Sequence, residues 1–189
     1  MNGVVKFIIF VLAGVGLGYF SALHMADGGR FSGALHAGPW MTWPEAGSGA
    51  GSPYGRLHFI LSGQVPPSHF DRIVFEARRD DAGRPLQGSC AYRLEGPMLA
   101  VRWWVLSAYP LSGEGGGQEA VSELSSRDVL HDARGRLIIG ISGMARAGNW
   151  LPTPGEDDFI LVLRLFRAGA IGGEKLYHAP LRIIREGCS

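Results

Sequence analysis

The sequence predicts a mainly β fold: an antiparallel β-sandwich or jelly-roll-like domain carried behind one N-terminal transmembrane helix. Three observations predict it. The chain has a long apolar run near its start, a Gly/Pro-rich stretch behind that run, and from residue 56 onward a succession of short apolar segments bounded by turn residues. It divides accordingly into an anchor at residues 1–23, a linker at 24–51 and one β-domain at 52–189.

The anchor runs from Val4 to Leu23, VVKFIIFVLAGVGLGYFSAL, with Lys6 as its only charge. At about 1.5 Å per residue, residues 4–23 reach across the ~30 Å hydrocarbon layer of a lipid bilayer. Lys6 lies in the first turn, where its ammonium snorkels to the interface and favours an internal N-terminus. The soluble domain is then extracytoplasmic. A cleaved signal peptide is the rival reading. The apolar run is long for one, and no A-x-A pattern follows it, because His24 stands two residues before Ala26. Gly14 and Gly18 form a GxxxG pair, a weak signal in a glycine-rich helix.

Between His24 and Gly55 the composition turns to Gly, Pro, Ser and Ala, including AGSGAGSP at Ala46–Pro53, as in a flexible tether. Trp40 and Trp43 interrupt it, and their rings either rest on the bilayer interface or dock onto the domain.

Strands are expected at Arg56–Ser62 and Phe70–Arg78. After the turn DDAGRP, Leu86, Gly88, Cys90, Tyr92 and Leu94 share one face of an alternating segment. In Met98–Tyr109, Val101, Trp103 and Val105 lie on one side, and Arg102, Trp104 and Leu106 on the other. The region SGEGGGQEAVSEL reads as a loop, with a short helix over Gln118–Leu124 as an alternative. Ser126–His131, the turn DARG and Arg136–Ser142 read as a hairpin. Asp158–Ala168 suits a strand buried on both faces except at Arg164, and Leu181–Arg185 is the last strand.

Lys plus Arg number 18 against 17 for Asp plus Glu, without a basic stripe, so no nucleic-acid partner is expected. The 29 glycines and 11 prolines fit many tight turns, while abundant Leu, Ile, Val and aromatics exclude a disordered chain. No two of the six histidines stand at i, i+2 or i, i+4, and neither a metal nor a cofactor is expected. Nucleophile-elbow, zincin, phosphate-loop and dinucleotide motifs are missing. Asp157 and Asp158 are neighbours that face opposite ways in a strand, which makes them poor acid/base partners.

Five residues are candidates for ligand binding. Asn149 and Trp150 sit in the string RAGNWLPTPGEDDF, which reads either as a rigid loop pinned by a buried Trp150 or as one wall of a pocket. Arg102 and Arg164 lie in apolar strands and need partners, and Trp104 beside Arg102 offers a cation–π platform on a face that meets solvent or ligand. Cys90 and Cys188 are the only cysteines; spacing alone leaves open a disulfide or two unrelated buried thiols.

SPYGR at Ser52–Arg56, FEARRDDAGRPLQGSCAYRLEG at Phe75–Gly96, RWW at Arg102–Trp104, GNWLP at Gly148–Pro152, LRLF at Leu163–Phe166 and the terminal IIREGC together resemble the domain of unknown function 1214 family, in particular its short, membrane-anchored bacterial members. GNWLP followed by LRLF is the most specific part, and the loop GEGGGQEAVSEL departs from the family's usual look. The resemblance implies a jelly-roll sandwich and a bacterial envelope location, with the anchor in the cytoplasmic (inner) membrane and the domain in the periplasm. It also implies a Cys90–Cys188 disulfide, and it brings no catalytic residues. The expected function is a non-enzymatic binding or accessory module of a membrane complex, with another membrane protein or an envelope glycan as partner. The alternative is a periplasmic enzyme acting on an envelope glycan or small substrate from a pocket near Arg102, Trp104 and Trp150.

Overall fold

A computed structural model describes residues 3–27, 34–44, 53, 60, 72–97, 99, 101–111, 122–166 and 180–188. Helix α1, Gly3–Asp27, takes in the expected apolar run and continues four residues past it. Its segment Gly3–His24 is long and apolar enough to cross a membrane, and none of it is buried against the rest of the protein. Phe7, Phe10, Leu17 and Phe20 are all exposed, so the helix is apolar on every side, which suits lipid better than water.

Ten strands follow: β1 Leu35–Ala37, β2 Trp40–Thr42, β3 Arg72–Ala77, β4 Cys90–Pro97, β5 Trp103–Pro110, β6 Ser122–Ser125, β7 Arg136–Ser142, β8 Asn149–Pro152, β9 Phe159–Phe166 and β10 Arg182–Cys188. One sheet has the order β1-β2-β3-β9-β5-β6 and the other β10-β4-β7-β8. Their inner faces share one core, in which Phe75, Trp104, Leu106, Leu161 and Leu163 of the first sheet meet Tyr92, Leu94, Ile139, Leu151 and Ile183 of the second. The mainly β, sandwich-type expectation holds. Among the described residues every strand pair is antiparallel except β7–β8. That parallel pair needs only a short return because Asn149 aligns with Ile139, three residues back from the end of β7. The return crosses the outer face at Gly140, where a Cβ would stand 3.3 Å from Arg146 Cδ.

Four expectations about elements need correction. Residues 35–42, read as part of the 24–51 tether, form β1 and β2. Trp40 draws them in: it is fully buried and donates its indole N–H to Leu181 O at 2.6 Å. Ser122–Leu124 is strand rather than helix, because β6 finds a partner in β5. The hairpin before β7 reduces to a single bridge between His131 and Leu137. Of the strand expected over Arg56–Ser62 only Ile60 is described, and it is helical and exposed; the rest of that segment lies outside the described residues.

The alternation at Leu86, Gly88, Cys90, Tyr92 and Leu94 is buried as expected. Gly88 must be glycine, since a Cβ would fall 1.7 Å from Gly155 O where two connections cross. Strand β9 is buried along both faces with Arg164 half-buried, also as expected. Cys188 lies opposite Cys90 in the β10–β4 ladder, and the two are joined by a disulfide. One bulge interrupts this ladder, with Glu186 as the extra residue between Arg185 and Gly187.

Candidate functional site: the outer face of the six-stranded sheet

Strand alternation decides which side chains meet on this face. In β9, Leu161, Leu163 and Leu165 enter the core, so Ile160, Val162, Arg164 and Phe166 project the other way. In β5, Leu106 and Ala108 are inside and Ser107 and Tyr109 outside; in β3, Phe75 and Ala77 are inside and Val74 and Glu76 outside. The ladders arrange the outer residues in rows: Arg72, Phe166 and Trp103; Val74, Arg164 and Val105; Glu76, Val162, Ser107 and Glu123.

Arg164 donates to Ser107 Oγ at 3.0 Å and to Tyr109 Oη at 2.6 Å, and its guanidinium carbon lies 5.4 Å from the Tyr109 ring centre. Ser107 in turn donates to Glu123 Oε1 at 2.9 Å, so the Arg164 charge reaches a carboxylate through a hydroxyl. Trp103 stacks on Phe166 with ring centres 4.5 Å apart. Glu76 is 1% exposed, and neither carboxylate oxygen has a hydrogen-bond partner among the described residues. The face thus combines a satisfied polar cluster, an aromatic stack and one unsatisfied buried acid. Its one described hydroxyl with a carboxylate beside it is Ser107 with Glu123, and Ser107 is also held by Arg164.

The five candidates from the sequence do not converge. Arg164 belongs to this face. Trp104, expected to meet solvent or ligand, is 3% exposed and packs in the core. The alternation along β5 was read correctly and its faces were inverted: Arg102 precedes the strand and is exposed, while Leu106 and Ala108 carry Trp104 inward, leaving Trp103 as the outward ring. Asn149 and Trp150 lie on the other sheet, in β8. The Asn149 amide holds Leu130 N and O and Ile138 O, a structural clasp. Trp150 is half-buried and donates to Ser142 O at 3.1 Å, and it is Leu151 that fills the core beneath this strand. Sequence reasoning missed Glu76, Ser107, Tyr109 and Glu123. The signal for two of them was present, since Ser107 and Tyr109 stand two apart in an apolar strand and so must share a face.

The four-stranded sheet is different on its outside. Arg93 pairs with Glu95 and Glu186, Arg146 with Glu186, and Arg182 with Asp81. An open cleft of about 340 Å³ beside this ladder is lined by Ile138, Gly140, Arg93, His131, Asn149 and Glu186, among others. A nearby turn buries Asp80. Burial opposes its ionisation, but the N–H and guanidinium of Arg84 and the N–H of Ala82 outweigh that and hold its carboxyl below the usual carboxylate range. Asp132 is held low in the same way, by the N–H and guanidinium of Arg136.

Comparison with known proteins follows the same outline. The chain is similar to the VPA0106 protein from Vibrio parahaemolyticus, at 21% identity and a TM-score of 0.53, over 69% of this chain and 34% of that one. It also matches an uncharacterized protein from Burkholderia cenocepacia at 20% identity and a TM-score of 0.46, over 64% and 30% of the two chains. The chain therefore spans about a third of the length of these solved structures, and the likeness to the Vibrio protein speaks for the fold alone. No curated protein matches it. Residues 71–170, from the start of β3 past the end of β9, match the family described as Protein of unknown function (DUF1214). That stretch is just over half of the chain and holds the strands β3, β5, β6 and β9 that build the outer face, so the protein belongs to the DUF1214 family.

Proposed function

We propose that the protein is a non-enzymatic binding or accessory module of the bacterial envelope, held by α1 in the cytoplasmic membrane with its β-domain in the periplasm, and that another membrane protein or an envelope glycan is its partner. The observation that carries this reading is the apolar helix: Gly3–His24 is long and apolar enough to cross a membrane and packs on nothing in the described domain, as an anchor would. Affinity purification of the intact protein from its membranes in mild detergent tests the module: a stoichiometric partner is expected, and a chain that elutes alone sinks the complex. A reporter active only outside the cytoplasm, fused after Ser189, tests the side of the membrane.

A further inference from the structure

The tryptophans of the domain are placed very unequally. Trp40, Trp43 and Trp104 are buried, Trp150 is half-buried on the four-stranded sheet, and Trp103 is 39% exposed. Trp103 opens β5 and stacks on Phe166, which closes β9; Arg72, which opens β3, stands in the same row. An exposed aromatic pair therefore marks one end of the six-stranded sheet. Cations gather there too. Arg102 precedes β5 and Arg127 follows β6, both are exposed, and neither they nor Arg72 make an ion pair among the described residues. Asp128, the carboxylate beside Arg127, is engaged by the Ser125 hydroxyl.

The chain arriving from α1 enters the domain at this same end. Leu35 of β1 is level with Thr42 and Phe75, and β1 runs from there away from the row of Arg72, Phe166 and Trp103, so the residue before Leu35 approaches from the side of that row. Leu35 stands eight residues beyond Asp27, the last residue of α1, and a fully extended span of that length covers at most about 28 Å. The aromatic end is thus tied close to the surface from which α1 emerges.

We propose that this end of the six-stranded sheet is a membrane-docking surface, at which Trp103 and Phe166 enter the headgroup region of the bilayer that α1 crosses while Arg72, Arg102 and Arg127 meet lipid phosphates. This goes beyond the binding module proposed above and rests on its anchor. Indole rings favour the boundary between hydrocarbon and water, and guanidinium groups beside them add attraction to anionic lipid. The tether commits the occupant. It holds lipid within reach of this end permanently, whereas a soluble partner would have to compete with that surface for the same side of the domain.

The test reconstitutes the full chain into vesicles of phosphatidylcholine, with or without phosphatidylglycerol, in which part of the phosphatidylcholine carries bromine near the headgroup end of its acyl chains. Bromine quenches tryptophan only on close approach, and α1 contains no tryptophan, so any quenching comes from the domain. The unaltered chain should lose emission, Trp103→Phe should abolish that loss, and Trp150→Phe should leave it in place. Quenching should be stronger with phosphatidylglycerol. Arg102→Gln should then lower the ratio of docked to undocked domain about fivefold, the effect of one guanidinium near an anionic surface. Should Trp103→Phe fail to fold, quenching of the unaltered chain that survives Trp150→Phe still decides. Recovery of the chain with the vesicles after an alkaline wash reads the anchor separately. A chain that is retained but not quenched overturns the docking surface and leaves the anchor, and a chain that is washed off removes both. Quenching that disappears with Trp150→Phe turns the other sheet to the lipid and overturns the proposal. So does Trp103 shielded from acrylamide yet untouched by bromine, since a protein would then cover it.

Discussion

The two sheets turn very different surfaces away from their common core. Outside the four-stranded sheet every charge of the ladder from Arg182 through Glu95, Arg93 and Glu186 to Arg146 has an opposite neighbour, and the side chains stay partly exposed. Outside the six-stranded sheet Ile160, Val162 and Tyr109 are buried, and among the described residues Arg164 reaches a carboxylate only through Ser107 and Glu76 has no hydrogen-bond partner. Matched surface ions cost little and contribute little, so the first face is finished in water. An unpaired buried acid is a standing cost, so the second face is held by packing rather than by pairing. Charge count alone would not have separated them; pairing does.

The largest effects should come from what holds the sandwich together. The Cys90–Cys188 bridge closes a separation of 98 residues, and the chain-entropy view assigns such a loop about 4–5 kcal/mol. Reduction followed by denaturant unfolding should reveal a loss of that order, and an unchanged midpoint would show that the sandwich does not depend on its clasp. Next comes the shared core. Trp104→Ala should cost about 3–5 kcal/mol, whereas Trp150→Ala, at a half-buried ring, should cost about 1–2 kcal/mol. Equal losses in paired melts would place Trp150 in the core after all.

An intermediate effect distinguishes the two buried acids. The Asp80 carboxyl titrates below its unfolded value, so its stabilising share is fully present above pH ~3.9 and disappears as pH falls through the lower folded-state value. Unfolding free energies measured from neutral pH into acid should fall steeply below that point, and Asp80→Asn should flatten the fall. Glu76→Leu should do the reverse at neutral pH and raise stability by about 1–3 kcal/mol, since it removes an unsatisfied group. A loss instead would mean that Glu76 is satisfied within the chain. The smallest effect belongs to the exposed ladder: Glu186→Gln should change stability by less than about 1 kcal/mol, and that change should shrink in salt.

Much of the fold was legible because period-2 burial leaves a direct trace in sequence. Leu86 to Leu94 and the doubly apolar β9 could be read straight off. What could not be read was which face of β5 is the inner one. Both faces carry a tryptophan, and Arg102, one residue before the strand, looked like part of the pattern. Trp40 was illegible for another reason. A three-residue strand in Gly- and Pro-rich surroundings has no periodicity, and its place in the core rests on long-range pairing with β3 and the bond to Leu181. The site depends on register across β3, β9, β5 and β6. No local window brings Glu76, Arg164, Ser107 and Glu123 together, so Arg164 was found singly and its company was not.

The manner in which the sheets end bears on how many copies can live side by side. The outermost strands β1, β6 and β8 have only three or four residues each, and β8 closes on Pro152. The one long border is β10, and it is kinked by the bulge at Glu186, studded with Arg182, Arg185 and Glu186, and stapled to its inner neighbour. Open borders are templates for runaway strand pairing, and twisting, charge and brevity are the usual remedies. Copies crowded at high local density would therefore meet at these rims without zipping into fibrils.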